Sequence, residues 1–291
     1  MLQCGERMFT LGERTYVMGV VNVTPDSFSD GGEFFDLDVA YRHAAAMIEG
    51  GADIVDIGGE STRPGAAPTP IDEELRRIVA VIERLVAAGT RAISIDTRHA
   101  VVARAALEAG ASWVNDVSGL ADPHLAPVAA AADALVVMHN RLKGFAPVED
   151  DVHYDDVVAD VAAELERLRD RAVKAGVERS QIVVDPGLGF GKTVAGNMEL
   201  LTSVAALHQV GPVMLGPSRK RFLGAIAGVP RAADRDAATI AACLVAAAQG
   251  CDFVRVHDAV GVRQALAVWN AARRPAPGRL QPPDRDPLAM G

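Results

Sequence analysis

Residues 92–116 read AISIDTRHAVVARAALEAGASWVND and contain the unit from which this chain is built. The apolar run Ala92–Asp96 predicts a short buried strand, and Val101–Ala109 has the alanine-rich composition of a helix. Gly110 follows the helix, where a left-handed C-cap is expected, and Trp113–Asn115 predicts the next strand. Since two strands joined through a helix usually pair in parallel, the unit indicates an α/β fold.

The same unit recurs along the whole chain. Eight apolar runs are predicted as strands, namely Tyr16–Asn22, Ile54–Gly58, Ala92–Asp96, Trp113–Asn115, Ala134–His139, Ile182–Asp185, Val213–Leu215 and Phe253–His257. The predicted helices are Val39–Glu49, Asp72–Ala88, Val101–Ala109, Val157–Ala175 and Ala233–Gln249, with the capping glycines Gly50, Gly89, Gly110, Gly176 and Gly250. Eight units in 291 residues favour a closed (β/α)8 TIM barrel over an open doubly wound sheet. No Gly-x-Gly-x-x-Gly turn follows the first predicted strand, which also argues against the open sheet.

The chain length suits one barrel or two small domains, and the repeated unit favours a single domain over residues 1–274. Residues 2–15 precede the first barrel strand and are predicted to form a hairpin that caps the bottom of the barrel. Residues 275–291 hold five of the 16 prolines, which is typical of a mobile tail.

Composition excludes several classes of protein. With 49% apolar and 23% charged residues the chain can bury one large core. Its net charge of −9, without a basic run, argues against nucleic acid or anionic lipid as a partner. The N-terminus lacks the pattern of a secretory signal, and the apolar stretch Ala237–Ala248 is too short to span a bilayer. Cys4, Cys243 and Cys251 lack metal-ligand spacing and suit a reducing compartment, so we expect a soluble, cytoplasmic protein.

Polar residues end nearly all the predicted strands. In a barrel of this kind, the carboxyl ends of the strands and the loops after them face the ligand. The residues in question are Asn22, Asp56, Asp96, Asn115, His139, Asp185, Ser218 and Lys220 after the seventh strand, and Arg255 and His257 at the eighth. Any single one could simply cap the next helix, but capping does not select lysine, arginine and histidine.

Two kinds of chemistry are represented at these strand ends. Asp96, Asn115 and Asp185 offer acceptors suited to a ligand edge rich in N–H donors, such as an aminopyrimidinone ring, with Lys220 between the carboxylates and the ring carbonyl. A second set offers fork donors, an imidazole and a neutral oxygen, which suit a pyrophosphate and its magnesium ion. This set contains Asn22, Arg63, Arg255 and His257.

Several loops admit more than one interpretation. Residues 23–32 (VTPDSFSDGG) and 58–65 (GGESTRPG) could be plain connectors, but their polar content favours a lid over the barrel mouth. Residues 185–192 (DPGLGFGK) resemble a phosphate loop, yet they lack the Walker spacing. Residues 149–156 (EDDVHYDD) could be a metal site, but acidic residues before a helix more often complement its dipole.

The motifs taken together resemble those of the dihydropteroate synthase family from Tyr16 to His257. The matching motifs are NVTPDSFSDGG (22–32), DIGGESTRPG (56–65), SIDT (94–97), ND (115–116), DPGLGFGK (185–192), SRKRFLG (218–224) and RVH (255–257). The resemblance implies a homodimeric, magnesium-dependent barrel enzyme of folate biosynthesis. Such an enzyme condenses 6-hydroxymethyl-7,8-dihydropterin diphosphate with p-aminobenzoate, releases pyrophosphate and is the target of sulfonamides.

The resemblance also implies roles for individual residues. Asp96, Asn115, Asp185 and Lys220 would hold the pterin, with Arg255 stacked on its face. The p-aminobenzoate site would be shaped by Thr62, Arg63, Pro64, Phe190 and Ser218, and the pyrophosphate would be bound by Asn22 through magnesium together with Arg63, Arg255 and His257.

The match is weaker over residues 138–147 (MHNRLKGFAP), where the family usually has a shorter loop. Two other functions remain open, namely a corrinoid-dependent methyltransferase that uses methyltetrahydrofolate and a catalytically silent folate-binding homologue. A methyltransferase has no need of the Arg-x-His at strand eight beside Ser-x-Lys and Thr-Arg-Pro. Loss of Asn22, Arg63 or Lys220 would mark a silent homologue, and all three are present.

Overall fold

The structure is a computed structural model that describes residues 1–23, 33–60, 68–142 and 152–273, and for residues 33–36 only the backbone. Its strands are β1 Leu2–Cys4, β2 Arg7–Phe9, β3 Tyr16–Asn22, β4 Ile54–Gly58, β5 Ile93–Asp96, β6 Trp113–Asp116, β7 Ala134–Met138, β8 Ile182–Asp185, β9 Met214–Leu215 and β10 Phe253–Val256. Its helices are α1 Glu33–Glu49, α2 Ile71–Ala87, α3 Ala100–Glu108, α4 Leu125–Ala129, α5 Val157–Lys174, α6 Val194–Thr202, α7 Val204–Leu207, α8 Arg221–Ala227, α9 Asp236–Ala248 and α10 Ala259–Arg273.

Strands β3 to β10 form one parallel sheet that closes on itself. The hydrogen-bonded order runs β8-β7-β6-β5-β4-β3-β10-β9. A parallel bridge between Val184 of β8 and Val213, just before β9, joins the two ends, and Val184 N donates to Pro212 O at 2.8 Å. The predicted (β/α)8 barrel is therefore confirmed.

Side chains point alternately out of and into the barrel along each strand, so the buried apolar residues form two separate cores. Outward residues such as Val55 and Ile57 pack against the helices in the larger core. Inward residues such as Met18 and Ile54 fill the lower half of the barrel. Because side chains alternate, the inward face of β4 continues from Ile54 to Asp56 and Gly58, toward the carboxyl ends of the strands.

The predicted N-terminal hairpin consists of β1 and β2 and closes the bottom of the barrel. Phe9 lies 4.7 Å from the Tyr16 ring and 5.6 Å from the Phe253 ring, centroid to centroid. Trp113 donates from Nε1 to Gln3 O at 2.7 Å, which ties the hairpin to β6. Over the described residues the lower half of the barrel interior is thus filled by side chains.

Helix boundaries follow the predicted amphipathic pattern with small shifts. In α2, Ile78, Ile82 and Leu85 are buried against the barrel. Asp156 caps α5 by accepting from the backbone N–H groups of Val158 and Ala159 at 3.0 and 2.9 Å, so this part of the acidic segment serves the helix start.

Some predicted details were wrong. Helix α1 begins at Glu33 rather than Val39, and a 3₁₀ turn at Ala232–Asp234 precedes α9. The glycine with a left-handed backbone after α1 is Gly51 rather than Gly50. The strands Tyr16–Asn22, Ile54–Gly58 and Ile182–Asp185 match their predicted bounds, and the other strand and helix ends differ by at most one residue apart from the starts of α1 and α9. Helices α4, α6, α7, α8 and α10 were not predicted.

The predicted tail and the boundary of the 1–274 domain fall on or next to residues outside those described, so they stay predictions. Over the ranges that the structure covers, no helix is long and apolar enough to cross a membrane.

Candidate active site

Strands β4, β5, β6 and β10 bring four polar side chains together at the floor of the barrel mouth. Arg255 donates from Nε to Asp56 Oδ2 and from Nη2 to Asp96 Oδ2, each at 2.6 Å. Asn115 donates from Nδ2 to the same Asp56 oxygen at 2.9 Å. We call Asp56, Asp96, Asn115 and Arg255 the floor network. The sequence predicts that Arg255 stacks on the pterin and binds pyrophosphate, whereas here its guanidinium lies against the carboxylates of Asp56 and Asp96.

The floor network and Ser94, which precedes Asp96 by two residues on β5, leave hydrogen-bond acceptors unsatisfied. Among the described residues, the oxygens Asp56 Oδ1, Ser94 Oγ, Asp96 Oδ1 and Asn115 Oδ1 are buried without a hydrogen-bond partner. Each such atom costs about 1–3 kcal/mol when buried. Four acceptor oxygens at one place indicate a binding site for a ligand with several N–H donors.

Asp185 and Lys220 face the floor network from the other side of the mouth. Asp185 ends β8 and accepts from the backbone N–H of Gly187 at 2.7 Å. Lys220 follows β9, and its ammonium lies 4.1 Å from the centroid of the Phe190 ring. A carboxylate, an ammonium and an aromatic ring are thus placed within reach of a single ligand.

The turn after β9 is held in an unusual backbone conformation. Arg219 has a φ of +57°, and its guanidinium donates twice to Asp236 at 2.7 and 2.8 Å. A left-handed non-glycine residue costs roughly 1–3 kcal/mol and is found mainly where surrounding contacts fix it at a functional site. This conformation directs the neighbouring Ser218 and Lys220 toward the mouth.

Ser218 and His257 form a hydrogen-bonded pair beside this turn. Ser218 Oγ lies 2.8 Å from His257 Nδ1 and accepts from the His257 backbone N–H at 3.1 Å. The geometry allows the serine hydroxyl to donate to Nδ1, which leaves Nε2 as the protonated nitrogen of a neutral imidazole.

Asn22 ends β3 next to β4. A Cβ built on Gly58 would lie 3.8 Å from Asn22 Oδ1 and 3.7 Å from Asp96 Oδ2, so both side chains lie beside Gly58. The structure therefore places nine predicted site residues at one end of the barrel, namely Asn22, Asp96, Asn115, Asp185, Phe190, Ser218, Lys220, Arg255 and His257. Thr62, Arg63 and Pro64 lie outside the described residues, as does most of the predicted lid.

Comparison with known proteins identifies the family. A family model described as "Pterin binding enzyme" matches residues 18–257. The dihydropteroate synthase of Mycobacterium leprae is 50% identical over 263 residues, which cover 88% of this chain and 92% of that protein. The chain belongs to the dihydropteroate synthase family.

Other members of the family agree in sequence and in fold. The dihydropteroate synthase of Xanthomonas albilineans with 4-aminobenzoic acid superposes with a TM-score of 0.86 at 44% identity, over 94% of this chain and 98% of that one. The same enzyme in complex with 7,8-dihydropteroate gives a TM-score of 0.83 at 42% identity over 94% and 99%. A longer Haloferax volcanii protein, named "Probable bifunctional folylpolyglutamate synthase/dihydropteroate synthase", is 45% identical over 93% of this chain, and the chain spans 32% of its length.

The site perturbs the ionisation of its charged groups. Burial raises the pKa of Asp96 to about 7, with Arg255 opposing the shift and Asp56 adding to it. Burial also raises the pKa of Asp185, which the Gly187 N–H and Lys220 oppose. Enclosure lowers the pKa of Lys220 to about 8, although Asp185 favours its charged form. Carboxyl pKa values raised toward neutrality beside a lysine pKa lowered toward neutrality are typical of an active site.

A second cluster of side chains, beside the mouth, has ligand atoms close enough to one another to bind a metal ion. Ligand atoms of Glu60, Glu74 and His99 lie within 4.8 Å of one another. Each already has a partner, since Arg98 donates twice to Glu60 at 2.8 and 2.9 Å and His99 Nδ1 lies 2.9 Å from Glu74. We interpret this cluster as the support for the loop after β4.

A cavity of about 310 Å³ opens between α5 and the ends of β6 and β7. It includes Glu164 and the strand-end residue His139, but none of the residues to which a substrate or metal role was assigned from the sequence. We place the site at the barrel mouth because the unpartnered acceptors and the perturbed charges converge there.

Sequence reasoning missed two residues that organise the site. Asp56 was noted as a strand end but received no role, although its inward position on β4, two residues after Ile54, was a usable signal. Lys192 was noted only as the end of a motif. It is buried, and desolvation lowers its pKa to about 7.

Proposed function

We propose that this protein is a dihydropteroate synthase. It condenses 6-hydroxymethyl-7,8-dihydropterin diphosphate with p-aminobenzoate and releases pyrophosphate and 7,8-dihydropteroate in folate biosynthesis. The observation that carries this proposal is the group of four unpartnered acceptor oxygens on β4, β5 and β6. A dihydropterin presents a complementary edge of N–H and NH₂ donors, and the relative from Xanthomonas albilineans binds 7,8-dihydropteroate.

The floor network and its neighbours would bind and orient the pterin. Asp96 and Asn115 accept from the donor edge of the ring, and Asp185 accepts from the opposite side. Lys220 donates to the ring carbonyl. Arg255 would leave its ion pairs and stack on the face of the ring, where it also comes within reach of the diphosphate. Its predicted role in pyrophosphate binding and its observed pairing with Asp56 and Asp96 would then correspond to two positions of one side chain.

The p-aminobenzoate site would lie between the β8 and β9 loops, where Phe190, Lys220 and Ser218 meet. Thr62, Arg63 and Pro64 complete it when the loop after β4 closes. The Xanthomonas albilineans enzyme binds 4-aminobenzoic acid, which is consistent with this assignment. Closure excludes water from the reacting methylene.

The diphosphate would be bound by Arg63, Arg255 and His257, with Asn22 offering an oxygen to magnesium. A single neutral oxygen fits this ion, since Mg²⁺ commonly binds through one or two protein ligands together with substrate phosphates and water. Magnesium would neutralise part of the charge on the departing pyrophosphate. We also propose that the protein is a homodimer, as its family resemblance implies, and that it is cytoplasmic, since its scattered cysteines suit a reducing compartment.

A coupled assay tests the function. Purified protein is mixed with magnesium, the pterin diphosphate and p-aminobenzoate, and released pyrophosphate is measured. We expect release that depends on both organic substrates, and a protein that releases none would contradict the proposal. Methyl transfer from methyltetrahydrofolate to a corrinoid protein is measured in parallel and is expected to be absent, which separates the synthase from the methyltransferase.

A further inference from the structure

The glycine-rich loop between β8 and α6 has one internal backbone hydrogen bond, from Phe190 N to Gly187 O at 3.1 Å, and Gly189 N donates to Asn197 Oδ1 at 2.6 Å. Gly187, Gly189 and Gly191 have left-handed φ angles of +67°, +82° and +66°. Glycines at such angles lose more conformational freedom on ordering than other residues. The loop nevertheless carries Phe190 into the mouth, so other contacts must fix it.

Lys192 supplies three of these contacts from beneath the loop. It is 7% exposed, and its Nζ is 2.9 Å from Gly187 O, 2.9 Å from Phe190 O and 3.0 Å from His139 Nδ1. Three acceptors lie within hydrogen-bond distance of Nζ, which is the number that the N–H donors of a protonated lysine can bond. One side chain thus joins both ends of the Gly187–Phe190 turn to the end of β7.

His139 is itself held in the state that Lys192 requires. Its Nε2 lies 2.8 Å from Glu164 Oε2, and Arg141 pairs with the same carboxylate. Burial, with the nearby Lys192 ammonium, lowers the pKa of His139 to about 3, so the ring is neutral and Nδ1 can accept. The contact with Lys192 is therefore anchored to α5.

The fixed turn underlies two groups of the proposed p-aminobenzoate site. A Cβ at Gly189 would lie 3.1 Å from Lys220 Cδ, so the loop backbone lies against the lysine stem. Lys220 Nζ in turn lies 4.1 Å from the Phe190 ring centroid. Loosening the turn would displace both the ring and the ammonium.

We propose that Lys192 is a positioning residue that sets Phe190 and Lys220 for p-aminobenzoate without touching the substrate. The inference rests on the proposed function. It assigns to the buried ammonium a role in the KM for the aromatic acid rather than in the stability of the barrel alone.

The test compares Lys192→Met, which keeps the length of the side chain and removes the donors, with the wild-type protein in the pyrophosphate assay. We expect the KM for p-aminobenzoate to rise about tenfold, as loss of about 1.4 kcal/mol of binding would produce, and the KM for the pterin diphosphate to rise by a smaller factor, because Lys220 is one of several pterin contacts. Arg169→Met is the matched control, because Arg169 is another buried cation but bonds to Val210 O, away from the mouth. It should lower stability and leave both KM values unchanged.

A double-mutant cycle separates positioning from a structural role. In the Phe190→Ala background, Lys192→Met should raise the KM for p-aminobenzoate by a smaller factor than in the wild-type background, since the ring is gone and only Lys220 remains to be displaced. An equal rise in both backgrounds would overturn the inference, as would an unchanged KM in the single variant.

If Lys192→Met does not fold, Lys192→Gln keeps two N–H donors and is expected to give an intermediate rise in the KM for p-aminobenzoate. A wild-type KM in that variant would overturn the inference too. A wild-type protein without turnover contradicts the proposed function and removes this inference with it.

Discussion

Asp56 shows how a single carboxylate can set the geometry of the mouth. One of its oxygens accepts from both Arg255 and Asn115, while the other has no hydrogen-bond partner among the described residues. An inward-facing acid on a barrel strand is costly to bury unless it is paired. Here the pairing holds Arg255 over the acceptors that the pterin would use, so binding exchanges one set of charged contacts for another.

Lys220 gives the first prediction, which concerns pH. Its pKa is lowered to about 8, so the side chain is protonated below that pH and neutral above it. The charged form donates to the pterin carbonyl and sustains the ionised form of Asp185. We therefore expect kcat/KM for the pterin diphosphate to fall as the pH rises through about 8, which a pH profile between 6.5 and 9.5 would measure.

The variant Lys220→Met provides the control for this pH profile. It should be much less active at all pH values and should lack the decline near pH 8, because the titrating group is absent. A wild-type profile that stays level to pH 9.5, or a decline that persists in the variant, would contradict the assignment.

At the scale of elements, the hairpin and the barrel strands were predictable, and several helices were not. Buried strands such as Ile182–Asp185 are continuous apolar runs with few competing interpretations. Four of the five missed helices have nine residues or fewer, as in Arg221–Ala227 with Gly224, and their pattern is too brief to exceed that of a loop. The fifth, α10, has 15 residues and was missed although its length is sufficient. Packing against the barrel, which no local pattern reports, stabilises them.

The hairpin gives the second prediction, which concerns stability. Phe9 is buried among Tyr16, Trp113 and Phe253 at the bottom of the barrel. Replacing a buried phenylalanine by alanine typically costs about 3–5 kcal/mol. We expect Phe9→Ala to lower the free energy of unfolding in urea by that amount, without a change in either KM.

The neighbouring Met8 offers a matched control, since it is 54% exposed. Met8→Ala should change the free energy of unfolding by less than about 0.5 kcal/mol, as is usual for surface substitutions. Equal effects of the two substitutions would show that the hairpin does not fill the barrel as described.

At the scale of the whole molecule, the residue types at the strand ends were enough to predict where the site lies, but not which side chains contact one another within it. Parallel strands in a barrel bring their carboxyl ends to one rim whatever the loops do, so Asp96, Asn115 and Asp185 had to converge. The pairing of Arg255 with Asp56 links residues 199 positions apart and depends on side-chain rotamers, which no local pattern encodes. Lys192 was missed for the same reason, because its acceptors are backbone carbonyls and a histidine of another strand.

The distribution of charge across the mouth gives the last prediction, which concerns the order of bond making and breaking. Asp56, Asp96 and Asp185 surround the pterin position, and Arg255 lies where it can follow the leaving diphosphate. Carboxylates beside the ring stabilise positive charge on the pterin methylene, while guanidinium groups stabilise the departing pyrophosphate. An aromatic amine is a weak nucleophile, so this arrangement favours departure before attack. We therefore expect the ¹³C isotope effect at the methylene carbon, measured by competition between labelled pterins, to be small. An effect of the size seen in synchronous displacements would show that the amine attacks while the diphosphate is still bound to carbon, and that the carboxylates serve binding alone.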